Sequence, residues 1–168
     1  MTRWWRLNRV RALSGVAVVL AIATVLLQWQ IHSAHRVAAA GEASLRAASD
    51  TAAAILSYTT ADVETGLTAR TDRLTGDFLR EYSELMTTKV IPEAKQNNVT
   101  ASATVAAAAS VSATADRAVN LLFVDQTVSK ASRGDSAAPA QPARSTFSVR
   151  VTLEKVGERW LVSGFEPT

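Results

Sequence analysis

The sequence predicts an α+β domain, with about three helices packed on one face of a curved antiparallel sheet of about four strands, preceded by an N-terminal transmembrane helix. Three observations carry this reading. Residues 12–31 form a largely apolar run that no charge interrupts. Apolar residues then recur at helical spacing as far as Ile91. After Asn97-Asn98 the period falls to two and holds to the end of the chain, apart from one stretch rich in Pro, Gly, Ser and Ala.

Residues 12–31 read ALSGVAVVLAIATVLLQWQI. A helix of that length spans roughly 30 Å, the thickness of the hydrocarbon core of a bilayer. Trp4 and Trp5 precede it and Trp29 lies at its end, where amphipathic rings favour the interface. Arg3, Arg6, Arg9 and Arg11 precede the run, and the first acid after it is Glu42. The positive-inside rule therefore assigns the tail 1–11 to the cytoplasm and the C-terminal domain to the far side of an inner (plasma) membrane. The small residues Val37-Ala38-Ala39-Ala40 lie too far past the run for a signal-peptide cleavage site, so the segment reads as a retained anchor. Within it, Ser14, Ala17, Ala21, Thr24 and Gln28 line one helical face of small and weakly polar residues, on which another helix can approach closely.

The rest divides into a juxtamembrane first helix within 32–60 and the remainder of the domain over 61–168. Leu45, Ala48, Ala52 and Ile55 give the first helix its apolar stripe. Asp62 is a candidate N-cap for a short helix through Leu67. Leu74, Phe78, Tyr82 and Leu85 line a third helix, which Pro92 should kink or end near Ile91. From Val99 to Ala115 every odd position is Val or Ala and most even ones are Ser or Thr, the mark of a long strand with one buried face. Such a strand is expected to bend or bulge. Ala115-Asp116-Arg117 reads as a turn into a strand over 118–128, apolar on both faces in its middle and therefore central. Residues 129–145 read as a mobile loop. Phe147, Val149, Val151 and Leu153 mark a third strand, and Gly157-Glu158 turns into a fourth with Trp160 and Val162 on one face. Phe78, Tyr82, Phe123 and Trp160 are the expected aromatic core.

The net charge of +3 belongs to the tail. Without its four arginines the chain carries 14 basic and 15 acidic residues, so no basic face for nucleic acid is expected. With no cysteine, disulfides and thiolate metal sites are excluded. The only histidines, His32 and His35, sit beside the membrane exit with Glu42 as the nearest acid, too few ligands for a metal. Asp77, Asp125, Tyr58 and Tyr82 are the groups from which a carboxylate–phenol site would have to be built. The apolar faces of the strands carry no acid, so neither catalysis nor a cofactor is expected. There is also no glycine-rich phosphate loop, nucleophile elbow or HExxH motif.

Several stretches together resemble the Mce-associated membrane proteins of actinobacteria. They are Leu74-Thr75-Gly76-Asp77-Phe78 with Glu81-Tyr82, Val90-Ile91-Pro92-Glu93-Ala94-Lys95, Asp116-Arg117-Ala118-Val119 with Leu121-Leu122-Phe123-Val124, and the closing Arg159-Trp160-Leu161-Val162-Ser163-Gly164-Phe165-Glu166-Pro167. The resemblance implies a cone-shaped outer domain similar to nuclear transport factor 2, a form also seen in inner-membrane scaffolds of type IV secretion. It implies a non-enzymatic accessory subunit of an Mce-type lipid importer, in contact with the membrane, the permease and other transporter subunits. A carrier of a small apolar ligand such as a lipid, or an assembly scaffold of an envelope secretion complex, is the alternative. A closed core favours a subunit, whereas an apolar tunnel favours a carrier.

Overall fold

The computed structural model describes residues 36–130 and 142–168. The tail, the apolar run 12–31 with its Ser14, Ala17, Ala21, Thr24 and Gln28 stripe, the flanking Arg and Trp residues, His32 and His35 lie outside the described residues, as does the middle of the expected loop. Among the described residues no helix is long and apolar enough to cross a membrane. Ala39–Thr168 form one compact unit.

Helix α1 covers residues 36–56. Its buried side is built from Ser44, Ala48, Thr51 and Ala52, small residues that let the helix lie close to the sheet, and from Ile55 near its end. The approach is tight enough that a Cβ on Gly41 would sit 3.7 Å from the Ala113 side chain. After α1 the chain enters a turn that is helical in its hydrogen bonding. Here Thr59 and Asp62 cap each other: the Asp62 carboxylate accepts the Thr59 N–H at 2.6 Å, and the Thr59 hydroxyl accepts the Asp62 N–H at 3.3 Å. Asp62 thus occupies the third position of a capping box and is not the cap expected of it, and the short helix α2 follows later, at Leu67–Thr71.

Helix α3 spans Gly76–Leu85, continues through a π-helical turn at Met86–Val90, and ends as α4, Ile91–Asn97. Pro92 therefore neither ends the helix nor breaks it. It lacks an N–H, and the turn before it widens so that the Ile91 N–H reaches back to the Met86 carbonyl. Of the expected α3 face, Phe78 and Tyr82 turn inward, whereas Leu74 precedes the helix and Leu85 is exposed. Asn98 stops α4 in the left-handed region (φ 48°), and its N–H bonds to Ala94.

Strands β1 (Val99–Ala113), β2 (Arg117–Lys130), β3 (Ala143–Val156) and β4 (Arg159–Pro167) form one antiparallel sheet in the order β1-β2-β3-β4. Strands β2 and β3 reach further into the expected loop than the sequence suggested. They pair as far as Val128 with Ala143, so backbone ladder bonds order the Ser- and Arg-containing flanks. Gly157 at φ +63° and Glu158 make the two-residue turn between β3 and β4; a left-handed glycine in the first turn position is the type II′ pattern.

In β1 the alternation holds only from Val99 to Val105. Register shifts between Val105 and Ala107 and between Ser110 and Ser112 each insert one residue. Every insertion moves the following side chains to the other face. Ala107 and Ala109 thereby come opposite Phe123 and Leu121, and Ala108 comes opposite the buried Leu122. The edges are partly closed. Residues 73–75 run along β4, with Thr75 N–H to Val162 O at 2.8 Å and Val162 N–H to Arg73 O at 2.9 Å. Tyr58 pairs with Ala101 on β1 at 2.9 and 2.8 Å.

The helices cover one face of the sheet. The core between them holds Leu122, Val124, Val149, Val151, Leu153 and Val162, all at 0% exposure, with Ala48, Ala52, Val63 and Leu74. Asn120 is also fully buried there; its amide donates to the Ser44 hydroxyl at 3.4 Å and its oxygen has no partner among the described residues.

Candidate docking surface

The groups from which a catalytic site would be built do not converge. Asp77 is exposed and paired with Arg80 at 2.5 Å. Asp125 is exposed on β2 and accepts the Thr146 hydroxyl at 2.6 Å. Tyr82 is buried, and its phenol donates to the Ile55 carbonyl at 3.1 Å, tying α3 to the end of α1. Burial pushes its pKa up to about 12. Burial, and then the charge of Glu93, also raise the pKa of Tyr58. Neither phenol is therefore a proton donor of ordinary strength. Phe78 lies between Tyr82 (ring centroids 6.1 Å) and Phe165 (5.9 Å, stacked), so this aromatic group is packing. Among the described residues no three His, Cys, Asp or Glu side chains are placed to hold a metal.

The buried cation is Arg70. Its guanidinium donates to the carbonyls of Ala54, Asp62 and Val63 at 3.2–3.3 Å and meets the Asp62 carboxylate at 3.5 Å. The Thr59 N–H, foremost, holds the Asp62 carboxyl below its ordinary pKa. Gly66 makes room for this group, since a Cβ there would lie 2.9 Å from the Asp62 carbonyl and 3.0 Å from the guanidinium. All of these partners are structural, and none opens toward a ligand.

Among the described residues no lipid tunnel crosses the helix-covered face, because the core side chains named above are closely packed and fully buried. The grooves are at the surface. One, of about 460 Å³, is lined by Ala47, Asp50, Asp72, Arg73, Arg159 and Trp160. Trp160 is half-buried, packed against the core on one side and open to this groove on the other. A second, of about 360 Å³, is lined by Asp77, Arg117, Glu154 and Glu166 among others. Both are open and rich in charged side chains, unsuited to an apolar tail.

The opposite face of the sheet tells the other half. Val119, Leu121 and Phe123 alternate with the buried Asn120, Leu122 and Val124 and stand on the outer side of β2. Phe123 is 44% exposed. The expectation that it joins the core is corrected: Leu121-Leu122-Phe123-Val124 is apolar on both faces, but helices cover only one. The signal lay in the flanks. Arg117 and Asp125 share the phase of Phe123, and charges on that phase mark it as the outer face.

Comparison with known proteins places the chain. It is 45% identical over 164 residues to the outer membrane protein Rv1973 of Mycobacterium tuberculosis, covering 98% of both chains. The chain belongs to the family of that protein. A second relative, the uncharacterized protein Rv1362c of the same organism, is 38% identical over 129 residues, which are 76% of this chain and 56% of the relative. No family model matches. Among solved structures the chain is similar to an IcmL-like type IV secretion system protein of Legionella pneumophila (TM-score 0.59, 10% identity, 74% of this chain and 88% of that one). It is also similar to the periplasmic domain of DotI (0.54, 15%, 74% and 91%) and to VirB8 of Agrobacterium tumefaciens (0.54, 15%, 77% and 90%). These likenesses establish the fold, an α+β cone of helices on a four-stranded antiparallel sheet.

They also overturn the resemblance to Mce-associated proteins, and with it the expected importer, permease and lipid-transport role. The domain shares its fold with these type IV secretion system proteins, and none of the relatives and structures named above carries an Mce assignment. The reason is visible in the structure. The stretches that carried the resemblance hold the fold together: Leu74 pairs with Val162, Phe78 stacks on Phe165, and Leu122 and Val124 fill the core. Such positions report packing and do not report a partner.

Proposed function

We propose that the chain is a non-catalytic docking subunit of an envelope assembly, held by residues 12–31 in the plasma membrane with its N-terminus in the cytoplasm and the cone outside. The filled core carries this reading. With the helix-covered face closed and the grooves open and charged, what the domain offers is surface, which suits a scaffold and not a carrier or an enzyme. The fold shared with periplasmic domains of secretion-system proteins supports the same reading. The anchor is the part assigned to the membrane, since a four-stranded sheet with two edges is not a closed barrel.

Two measurements on the full-length chain test this. A reporter fused after Thr168 should be active only outside the cytoplasm; cytoplasmic activity would end the proposed orientation. In lipid nanodiscs the chain should show no saturable binding of a long-chain fatty acid, and in native membranes it should crosslink to defined neighbours through residues of the outer domain. Stoichiometric fatty-acid binding with no such crosslinks would replace the scaffold by a carrier.

A further inference from the structure

The outer face of β2 has an order of side chains that is complementary to itself. Arg117, Val119, Leu121, Phe123 and Asp125 occupy alternate positions on this face: a cation, three apolar groups and an anion. Both charged ends are exposed, and Phe123 is 44% exposed. None of the three apolar side chains belongs to the core cluster, and no described helix covers them. On the β1 side they are flanked by Ala107 and Ala109, brought there by the bulge, and these are too small to hinder an approaching sheet. On the β3 side Phe123, Leu121 and Val119 are in register with Ser148, Arg150 and Thr152, and Arg150 is itself in register with Glu166.

We propose that this face is a self-association surface, on which a second copy of the chain seats about a two-fold axis through Leu121. An axis that lies between the two sheets and perpendicular to β2 reverses the strand direction of the copy. It sets Arg117 against Asp125 of the copy, Asp125 against Arg117, Val119 against Phe123, and Leu121 against itself. Opposite charges then meet at both ends and apolar groups meet in the middle, in the usual packing of two sheets face to face. A different partner would need its own matching order, whereas a second copy supplies it by symmetry. The surface is separate from the docking function proposed above, which stands or falls without it.

The test uses the full-length chain in mild detergent, followed by sedimentation over a range of concentrations. The native chain should form a dimer. Arg117→Glu alone, or Asp125→Arg alone, should weaken it roughly tenfold or more, because each places like charges together twice. The double reversal should restore the native dissociation constant. Leu121→Glu should give a monomer that melts where the dilute, dissociated native chain does, since the side chain lies outside the core. The chain has no cysteine, so a single Leu121→Cys variant can also be crosslinked cleanly with a short bis-maleimide. It should form dimers efficiently, and Leu85→Cys on α3 should not. A native chain that stays monomeric, a dimer indifferent to Leu121→Glu, or a double reversal that fails to restore association each overturns the proposal.

Discussion

Arg70 ties together stretches of chain that the sheet does not reach. Its guanidinium joins the end of α1, through the Ala54 carbonyl, to the turn at Asp62 and Val63, and its side chain is only 8% exposed. Removing it strands these carbonyls, so Arg70→Met should cost about 3 kcal/mol. Asp62 is half-exposed, and its ion pair is screened, so Asp62→Asn should cost less than about 1 kcal/mol. Chemical denaturation of the two variants checks this, and equal losses would assign the role to the ion pair. Tyr82 makes a pH-dependent counterpart. Its folded pKa lies above the ordinary value of 10.0, so the folded state keeps the proton that the unfolded chain gives up. The stability this provides is complete below pH 10 and should drain away as pH rises toward 12. Tyr82→Phe should weaken that dependence, leaving the share due to Tyr58. A denaturation midpoint with the same alkaline slope in both proteins would refute the assignment.

At the scale of elements, β2 sets two neighbours in opposite environments. Leu122 has no exposure and packs among Val124, Val149 and Val151, whereas Phe123, one residue on, faces out. Leu122→Ala should cost about 2–5 kcal/mol. Phe123→Ala should stay within about 0.5 kcal/mol when measured on dilute, dissociated protein. Thermal melts of the pair decide it, and a larger loss from Phe123 would place that ring in a buried contact. The bulges of β1 belong to this scale too. The alternation of Val and Ala with Ser and Thr made β1 legible as a strand. It did not reveal where the strand would slip, because Ala fits either face of a sheet.

For the whole molecule, the fold class was legible because two periods of apolar residues, one helical and one strand-like, follow each other without overlap. The chain has no cysteine, and among the described residues of Ala39–Thr168 the core uses no metal ligand. A fragment beginning at Ala39 should therefore fold without the anchor, and chelators should leave its melting temperature unchanged. Trp160 is its single tryptophan, half-buried, so fluorescence and circular dichroism should report one coincident unfolding transition. Separate transitions would show that α1 depends on the preceding segment for its packing.

The sequence alone determined the order of helices and strands, the turn at Gly157-Glu158 and the long apolar run 12–31. Each depends on neighbours in the chain: side-chain period, backbone conformation, or twenty largely apolar residues with no charge among them. It also placed no acid among the apolar strand positions. Tertiary structure decided which of the two apolar faces of β2 would be covered, since that depends on how many helices reach the sheet. It decided that Arg70 would be buried, because only the folded chain gathers the carbonyls that receive its protons. The family resemblance was corrected by comparison with solved folds, and several of the residues that carried it, such as Leu74, Leu122, Val124 and Val162, are spent on the core. Function rests on the surface left over, and a single sequence does not show which residues the fold will leave there.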